Sequence, residues 1–400
     1  MSASISISPA SSPANSKRIS FGPGEWAGAF GDIGTDLPLL AGMLLASDMA
    51  PAPVLLLFGA CQIASGLIYR MPMPVQPLKV VAALVISQRL GSEVIAGAGL
   101  AIAAVMLGLT ISGALAGLAR LVPVAVVRGI QAGLGAKLCI LALGTYAGGQ
   151  GWRGCVLAGA AAALLLWLSR RPRIPASLLL LGIGAIIVWL GGPVQTPAWR
   201  LPAVAQGWHP LTLAGVWAGF IFLALPQIPL SLGNSVLATQ ELAADWFPGH
   251  GVTVRKIGLS YSFLNLAAAL LGGVPVCHGS GGLAGHYAFG ARTGGSVILY
   301  GGFYLVAGLA VMLGAANVLM FFPLPILGVI LAREGFTLVG RLHRLAGGRR
   351  AWMIALLVAV LAVAVPHGFL AGMVIGSVVE AISRRFVRAG QVQVEAEAQS

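Results

Sequence analysis

The sequence predicts an all-α polytopic membrane protein with about 14 membrane segments, arranged as an inverted repeat of seven plus seven. Hydrophobic residues make up 58% of the chain and charged residues 9%, and the mean hydropathy is +0.92. Polar stretches rich in Pro or Gly interrupt two hydrophobic segments, at residues 71–79 and 273–282. Irregular backbone survives in a bilayer only where protein or a water-filled cavity satisfies its polar groups. The pair therefore predicts a shared cavity near mid-membrane.

Apolar runs of membrane length define the full spans in each half of the chain. They cover residues 25–46, 50–69, 93–118, 122–143, 152–168 and 174–191, then 212–243, 254–272, 294–314, 321–341, 350–365 and 367–388. Segments 77–88 and 280–288 are too short to cross. About ten helical residues cover roughly 15 Å of a hydrocarbon core about 30 Å thick. Each short segment is therefore predicted to be half a helix, and the two half-helices meet at mid-membrane.

The two halves of the chain repeat each other in opposite orientation. Residues 74–77 (Pro-Val-Gln-Pro) align with 275–278 (Pro-Val-Cys-His), and 122–129 with 322–329, at offsets of 201 and 200 residues. An odd number of segments per half inverts the second half relative to the first. We therefore expect a disordered cytoplasmic tail over 1–24, a first repeat over 25–191, a linker over 192–211, a second repeat over 212–388 and a disordered tail over 389–400.

The distribution of Lys and Arg along the chain indicates its membrane topology. The net charge is +13, but 17 Lys and Arg residues lie in one set of alternate loops and tails, against Arg89, Arg153 and Arg200 in the other. This positive-inside bias argues against nucleic acid as a partner and predicts a multi-pass protein of the cell inner (plasma) membrane with both termini in the cytoplasm. The four cysteines are scattered, so neither disulfides nor a metal site is expected. We also expect no cofactor and no catalytic residues.

The starts of the two half-helices have the chemistry of an anion site. A helix N-terminus carries partial positive charge and unsatisfied N–H groups. Pro77 suits the first helical position, and Ser280 can act as the N-cap of the second half-helix. Gly279, Gly281 and Gly282 would let backbone approach a ligand. The alternative is that these prolines and glycines only permit tight helix packing.

Neutral donors near these starts complete the predicted binding site. Gln76 and His278 directly precede the half-helices and are expected to face the same cavity. In the second repeat, residues 225–235 form another polar break within a hydrophobic span, and it contributes Gln227, Ser231 and Asn234. Such groups hold an oxyanion without binding it too tightly to release. Interhelical hydrogen bonding is an equally plausible role for any one of them.

Lys79, Asp32 and Asp36 are charged residues within apolar stretches of the first repeat. Lys79 is two residues beyond Pro77, where a charge costs at least about 2.5 kcal/mol on insertion scales. It could attract anions or pair with Asp32 or Asp36, which lie four residues apart on one helical face. Burial favours the neutral form of a carboxyl group, so either aspartate could carry a proton. A structural Asp–Lys pair or a helix N-cap is about as plausible.

Five stretches resemble the molybdate transporter family related to sulfate permeases: residues 28–35, 72–79, 127–131, 229–236 and 275–292. The resemblance covers nearly the whole membrane portion. It implies proton-coupled molybdate uptake and a core domain, made from the first four and the eighth to eleventh segments, that moves against a gate domain. Asp36, Ser231 and His286 depart from the family pattern, which bears on proton coupling and selectivity.

The resemblance leaves several alternatives open. Molybdate, sulfate and tungstate share shape and charge, so each could be the oxyanion that is transported. A passive anion channel of the same fold is a second alternative, and an integral membrane enzyme is not supported by any nucleophile–base pair or metal cluster in the sequence. The expected partners are the molybdate oxyanion, protons and the lipid bilayer, and a homodimer is possible.

Overall fold

The computed structural model of the protein describes residues 18–121, 123–170, 176–190, 211–314 and 322–397. Residues 1–17 and 398–400 of the predicted tails and residues 192–210 of the predicted linker lie outside this range. At the C-terminal end the last helix continues to Glu397, past residue 388 where the predicted span ends.

The first half of the chain is helical, with one two-residue strand. Its elements are α1 (Pro23–Ala29), α2 (Ile33–Ala46), α3 (Pro51–Tyr69), β1 (Gln76–Pro77), α4 (Lys79–Gln88), α5 (Ser92–Ile111), α6 (Ala114–Leu121), α7 (Val124–Leu141), α8 (Gly151–Leu168) and α9 (Ala176–Trp189). The predicted span over 25–46 is thus divided into two helices. The span over 93–118 also divides, because Gly113 takes the left-handed conformation, with φ of +74°, that ends one helix before the next begins.

The second half is also helical, with one two-residue strand. They are α10 (Leu213–Gly219), α11 (Leu225–Leu230), α12 (Ala238–Trp246), α13 (Val254–Leu271), β2 (Val276–Cys277), α14 (Ser280–Ala288), α15 (Gly295–Met312), α16 (Leu324–Gly340), α17 (Gly348–Ala364) and α18 (Gly368–Glu397). The predicted polar break over 225–235 is not an interruption. π-helical turns over Phe220–Ala224 and Ser231–Leu237 join α10, α11 and α12 into one helix that accommodates Pro226 and Pro229, which lack a backbone N–H.

Six helical stretches in the described part of the chain are long and apolar enough to cross a membrane. They are Pro23–Ala46, Pro51–Tyr69, Ser92–Ile111, Val124–Leu168, Leu213–Trp246 and Gly295–Met312. Helix α4 is among the shorter apolar helices, as expected for a segment that crosses only half of the bilayer.

The helices pack into two groups, each containing helices from both halves. In the core group (α1–α6 and α10–α15), α3 packs against α15 and α5 against α13. Gly59 and Gly301 bring α3 and α15 together, since a Cβ on either would lie 2.6 Å from the other's carbonyl oxygen. In the gate group (α7–α9 and α16–α18), α7 packs against α16 and α17. Contacts of α2, α4 and α11 with α7, α9, α16 and α18 join the groups.

The two interruptions meet at the centre of the core group. Strands β1 and β2 pair antiparallel, with Gln76 opposite Cys277 and Pro77 opposite Val276. Helices α4 and α14 follow directly, so the predicted half-helices are present and their starts lie side by side. The predicted helix starts differ by one or two positions. Pro77 lies in β1 rather than at the first helical position, and Gly279 rather than Ser280 is the N-cap of α14.

Candidate functional site

Two amide side chains hold the segments that lead into the half-helices. Gln62 on α3 donates to the Val75 carbonyl at 2.6 Å and accepts from the Val75 N–H at 2.9 Å. Asn265 on α13 makes the same pair of bonds with Val276, at 2.7 and 2.9 Å. Each amide replaces the ladder partners that a short irregular segment lacks. The two bonded backbone positions are 201 residues apart, which is the offset of the sequence repeat.

The start of α4 is closed by protein groups. The N–H of Val80 donates to Gln227 Oε1 at 3.0 Å, and Gln227 Nε2 donates to Ser231 Oγ at 3.0 Å. Ser231 Oγ in turn lies 2.8 Å from the hydroxyl of Tyr261. Lys79 pairs with Glu334 on α16, at 4.0 Å between Nζ and Oε2. Among the described residues, the ion pair of Lys79 is thus with Glu334 and not with Asp32 or Asp36.

Gln76 and Asp32 pack against the glycines of the second interruption. Gln76 Nε2 donates to Asp32 Oδ2 at 2.5 Å, while Gln76 Oε1 is buried and has no hydrogen-bond partner among the described residues. A Cβ on Gly279 would overlap Gln76 Oε1, and one on Gly282 would lie 2.5 Å from Asp32 Oδ2. These two glycines admit the protein's own side chains, whereas the corresponding space at Gly281 is open.

His278 is fully buried and both ring nitrogens contact protein groups. Nδ1 lies 3.3 Å from the Pro74 carbonyl, to which it can donate, and Nε2 lies 2.8 Å from Ser260 Oγ. The ring also packs edge-on against Tyr69. Gln76 and His278 therefore lie beside the half-helix starts as predicted, but neither lines the cavity found next to α14.

The start of α14 opens onto a cavity of about 460 Å³ between the core and gate groups. Ser280 Oγ donates to Asn234 Oδ1 at 3.1 Å, and Arg341 Nη1 donates to the same oxygen at 3.3 Å. Among the described residues, no side-chain hydrogen bond reaches the N–H groups of Ser280, Gly281 or Gly282. The cavity is lined by Val124, Val127, Arg128, Gln131, Gly233, Asn234, Leu237, Ala238, Glu241, Ser280 and Arg341.

The charges of this cavity are mainly positive. Arg128, at the start of α7, donates to Gln131 Oε1 at 2.9 Å, and Arg341 directly follows α16. Glu241 on α12 is the acidic residue of the lining. Two guanidinium groups and the N-terminus of α14 face the same space, an arrangement that favours an anion.

Asp36 lies outside the cavity, in a fully buried polar cluster. Its Oδ2 accepts from the Tyr300 hydroxyl at 3.1 Å, and that hydroxyl lies 3.0 Å from Tyr304 Oη. Asp36 Oδ1 has no partner among the described residues. Asp32 occupies the N-cap position of α2, but its side chain does not cap the helix and instead accepts from Gln76.

The structure divides the predicted site residues into two sets. Asn234 and Ser280 line the cavity, and Gly281 lies next to them. Gln76, Pro77, Gln227, Ser231, His278 and Gly279 are buried around the half-helix starts. Sequence reasoning missed Gln62, Asn265 and the position of Arg341. An amide at equivalent places in two apolar helices was the available signal for the first two. Within the described residues, no group of three or more His, Cys, Asp or Glu could hold a metal ion.

The chain is similar in sequence to known molybdate transporters. A family profile described as "Molybdate transporter of MFS superfamily" matches residues 24–138 and 219–338, which include both interruptions. The chain is similar to Molybdate transporter 2 of Arabidopsis thaliana, with 33% identity over 362 residues that cover 78% of this chain and 77% of the relative. It is also similar to Molybdate transporter 1 of the same plant, with 28% identity over 357 residues and 78% of each chain covered.

Solved structures share the fold. SLC26A9 superposes with a TM-score of 0.65 at 12% identity over 91% of this chain, which spans 65% of the length of that structure, slightly under two thirds. The transmembrane domain of the cyanobacterial bicarbonate transporter BicA gives a TM-score of 0.60 at 18% identity, covering 89% of this chain and 97% of that one. These likenesses confirm the predicted helical membrane fold, while the count of seven plus seven segments stays a prediction.

Proposed function

Since this chain belongs to the molybdate transporter family, we propose that it is a secondary active transporter that takes up molybdate. Family membership also confirms the prediction of a transport protein rather than an enzyme. We further propose proton coupling and alternating access. The plasma membrane is the proposed location, with both termini in the cytoplasm.

The observation that supports an oxyanion substrate is the cavity at the start of α14. Its open N–H groups, Ser280 and two arginines supply hydrogen bonds and positive charge without enclosing the ligand. A divalent oxyanion of tetrahedral shape presents several acceptors, which suits donors that converge from the core group and the gate group. Molybdate is the substrate that the family supports.

The location of the cavity supports alternating access. Its arginines lie at the start of α7 and just after α16, and Glu241 lies near the end of α12. These helix ends all lie on the membrane side that the positive-inside bias assigns to the cytoplasm. The described conformation is therefore interpreted as open toward the cytoplasm. Movement of the core group against the gate group would expose the α14 start to the opposite side.

The aspartate next to α14 supports proton coupling. Asp32 Oδ2 lies close to Gly282 in the first turn of α14, where a carboxylate would repel a bound anion. A proton on Asp32 would remove that repulsion, so proton and anion would bind together. Asp36 is the second candidate for the proton, since it is fully buried and its Oδ1 has no hydrogen-bond partner in the described part of the chain.

Uptake of labelled molybdate into proteoliposomes tests the proposal. We expect saturable accumulation driven by an acid exterior, and collapse of the accumulation when a protonophore dissipates the gradient. Uptake that never exceeds the electrochemical gradient would identify a passive channel instead. Sulfate and tungstate are added in excess in parallel assays. If sulfate abolished uptake and was itself transported, the molybdate assignment would fail.

Replacing each aspartate by asparagine identifies the proton carrier. If Asp32 carries the proton, D32N should bind molybdate at neutral and acidic pH alike, and its uptake should no longer respond to the proton gradient. D36N should then keep the gradient response. The reverse result would assign the proton to Asp36, and a retained response in both variants would contradict either role.

A further inference from the structure

A groove of about 740 Å³ on the gate group is separate from the anion cavity. It lies between α8, α16 and the π-helical turn over Ala142–Ala147 that follows α7. Small and apolar side chains form most of its walls, and its polar groups are few. The lining residues with a polar or charged side chain other than Cys155 are Ser169, Arg333 and Thr337.

The groove runs along the membrane-spanning length of α8. Its lining extends from Cys155 to Ser169. Fourteen helical residues rise about 21 Å, which exceeds half of a hydrocarbon core about 30 Å thick. The apolar end lies at Ala142 and Cys155, and the polar end at Ser169 and Thr337. A groove of this length, with apolar walls and polar groups at one end, can hold a lipid acyl chain.

Arg333 places a positive charge at the polar end of the groove. It is exposed on α16, and Nη1 lies 3.5 Å from Ser177 Oγ, near the start of α9. This contact shows that the guanidinium reaches the level at which α9 begins, as a snorkelling side chain does. A cation that faces hydrocarbon is energetically unfavourable, and a guanidinium binds phosphate through two parallel hydrogen bonds. A phosphate at this level would therefore compensate the charge.

We propose that this groove binds one anionic phospholipid, with an acyl chain between α8 and α16 and the phosphate at Arg333. The combination of an apolar channel with one cation near its polar end, at the level where α9 begins, favours a phospholipid over a soluble anion. A second copy of this chain would have to present a carboxylate at the same depth within the membrane, at the cost of burying that charge.

Native mass spectrometry of the purified full chain tests the assignment. Phosphatidylglycerol and phosphatidylethanolamine with identical acyl chains are added in equal amounts. We expect one phosphatidylglycerol to be retained per chain in preference to phosphatidylethanolamine. R333Q should lower the retained phosphatidylglycerol about tenfold, the effect of losing one charge-assisted contact. R153Q, which removes an exposed arginine outside the groove, is the matched control and should change nothing.

A groove-filling variant tests the acyl chain separately. A Cβ on Gly159 would meet no atom of the described residues within 4 Å, so G159L has room to extend into the groove. It should reduce retention of both lipids, whereas G182L on α9, where the space is equally open, should not. Equal retention of the two lipids together with no effect of R333Q would overturn the proposal. So would a change from dimer to monomer in G159L with lipid retention intact, which would identify a contact between copies of the chain.

Discussion

The starts of α4 and α14 are equivalent in the repeat but differ in what they leave open. Lys79 and Ser280, the first residues of the two helices, are 201 residues apart, as are Val80 and Gly281. Both helices follow a strand of the same small sheet, and each preceding segment is held by one amide side chain. The shared framework fixes where both helices begin.

The difference lies in the groups that meet the two N-termini. At α4 the N–H of Val80 is bonded to Gln227, and the charge of Lys79 is balanced by Glu334. At α14 no amide side chain of the described residues meets Gly281, and the first turn opens onto the cavity that contains Arg341. A nearly symmetric fold thus produces one site that protein groups complete and one that a ligand can complete.

Filling the open end of α14 should have the largest effect. Within the described part of the chain, a Cβ on Gly281 would meet no atom within 4 Å, so G281L should fold. Side chains on a helix lean toward its N-terminus, so the leucine would cover the N–H groups proposed to bind the anion. We expect molybdate uptake in proteoliposomes to fall at least about 100-fold, or about 2.7 kcal/mol. G302L, in equally open space on α15, should retain uptake; equal loss in both variants would contradict the placement of the site.

Gln62 and Asn265 hold the segments before α4 and α14. Replacing each of these amides tests whether the two repeats depend on them equally. Q62L and N265L each leave one buried N–H and one buried carbonyl without a partner. At about 1–3 kcal/mol for each orphaned group, we expect roughly 2–6 kcal/mol of destabilisation in either variant, measured by thermal unfolding in detergent. Q88L, at the exposed end of α4, should unfold like the unmodified protein. If only one of Q62L and N265L were destabilised, the segments before α4 and α14 would not depend equally on their amide side chains.

The fold was predictable to a larger extent than the site. The half-helices and the partners of their first residues show the reason. Local sequence pattern determines helix length, the two interruptions and their repeat offset. The half-helices at Lys79–Gln88 and Ser280–Ala288 therefore agree with prediction to within two residues. The bond from Val80 to Gln227 joins positions 147 residues apart, and that from Arg341 to Asn234 joins positions 107 apart. Local pattern shows that a polar residue must find a partner but not which one. Gln227 and Asn234 therefore looked alike in sequence, yet one is bonded at the closed end and the other lines the cavity.

Arg341 supplies the next largest expected effect. It reaches Asn234 beside the α14 start and contributes positive charge to the cavity. A hydrogen bond to a charged group contributes about 1.5–3 kcal/mol, so R341Q should weaken molybdate binding roughly 10- to 100-fold, more at low than at high ionic strength. Binding is measured by calorimetry on the purified protein. R349Q, an exposed arginine outside the cavity lining, is the control, and an equal loss in both would indicate only a general effect of net charge.

The smallest expected effect tests whether the α4 end is closed by charge balance. Glu334 neutralises Lys79 at a distance of 4.0 Å, in a partly exposed pair. In E334Q the uncompensated ammonium and the N-terminus of α4 would together attract an anion. Partly exposed pairs contribute about 1 kcal/mol or less, so molybdate affinity should rise up to about fivefold while release, and with it the uptake rate, slows. E380Q removes a carboxylate that pairs with Arg350 at 3.3 Å, away from both half-helices, and should leave affinity unchanged. If E334Q bound molybdate no more tightly than E380Q, the start of α4 would be closed by Gln227 alone. The two helix starts would then differ in hydrogen bonding rather than in charge.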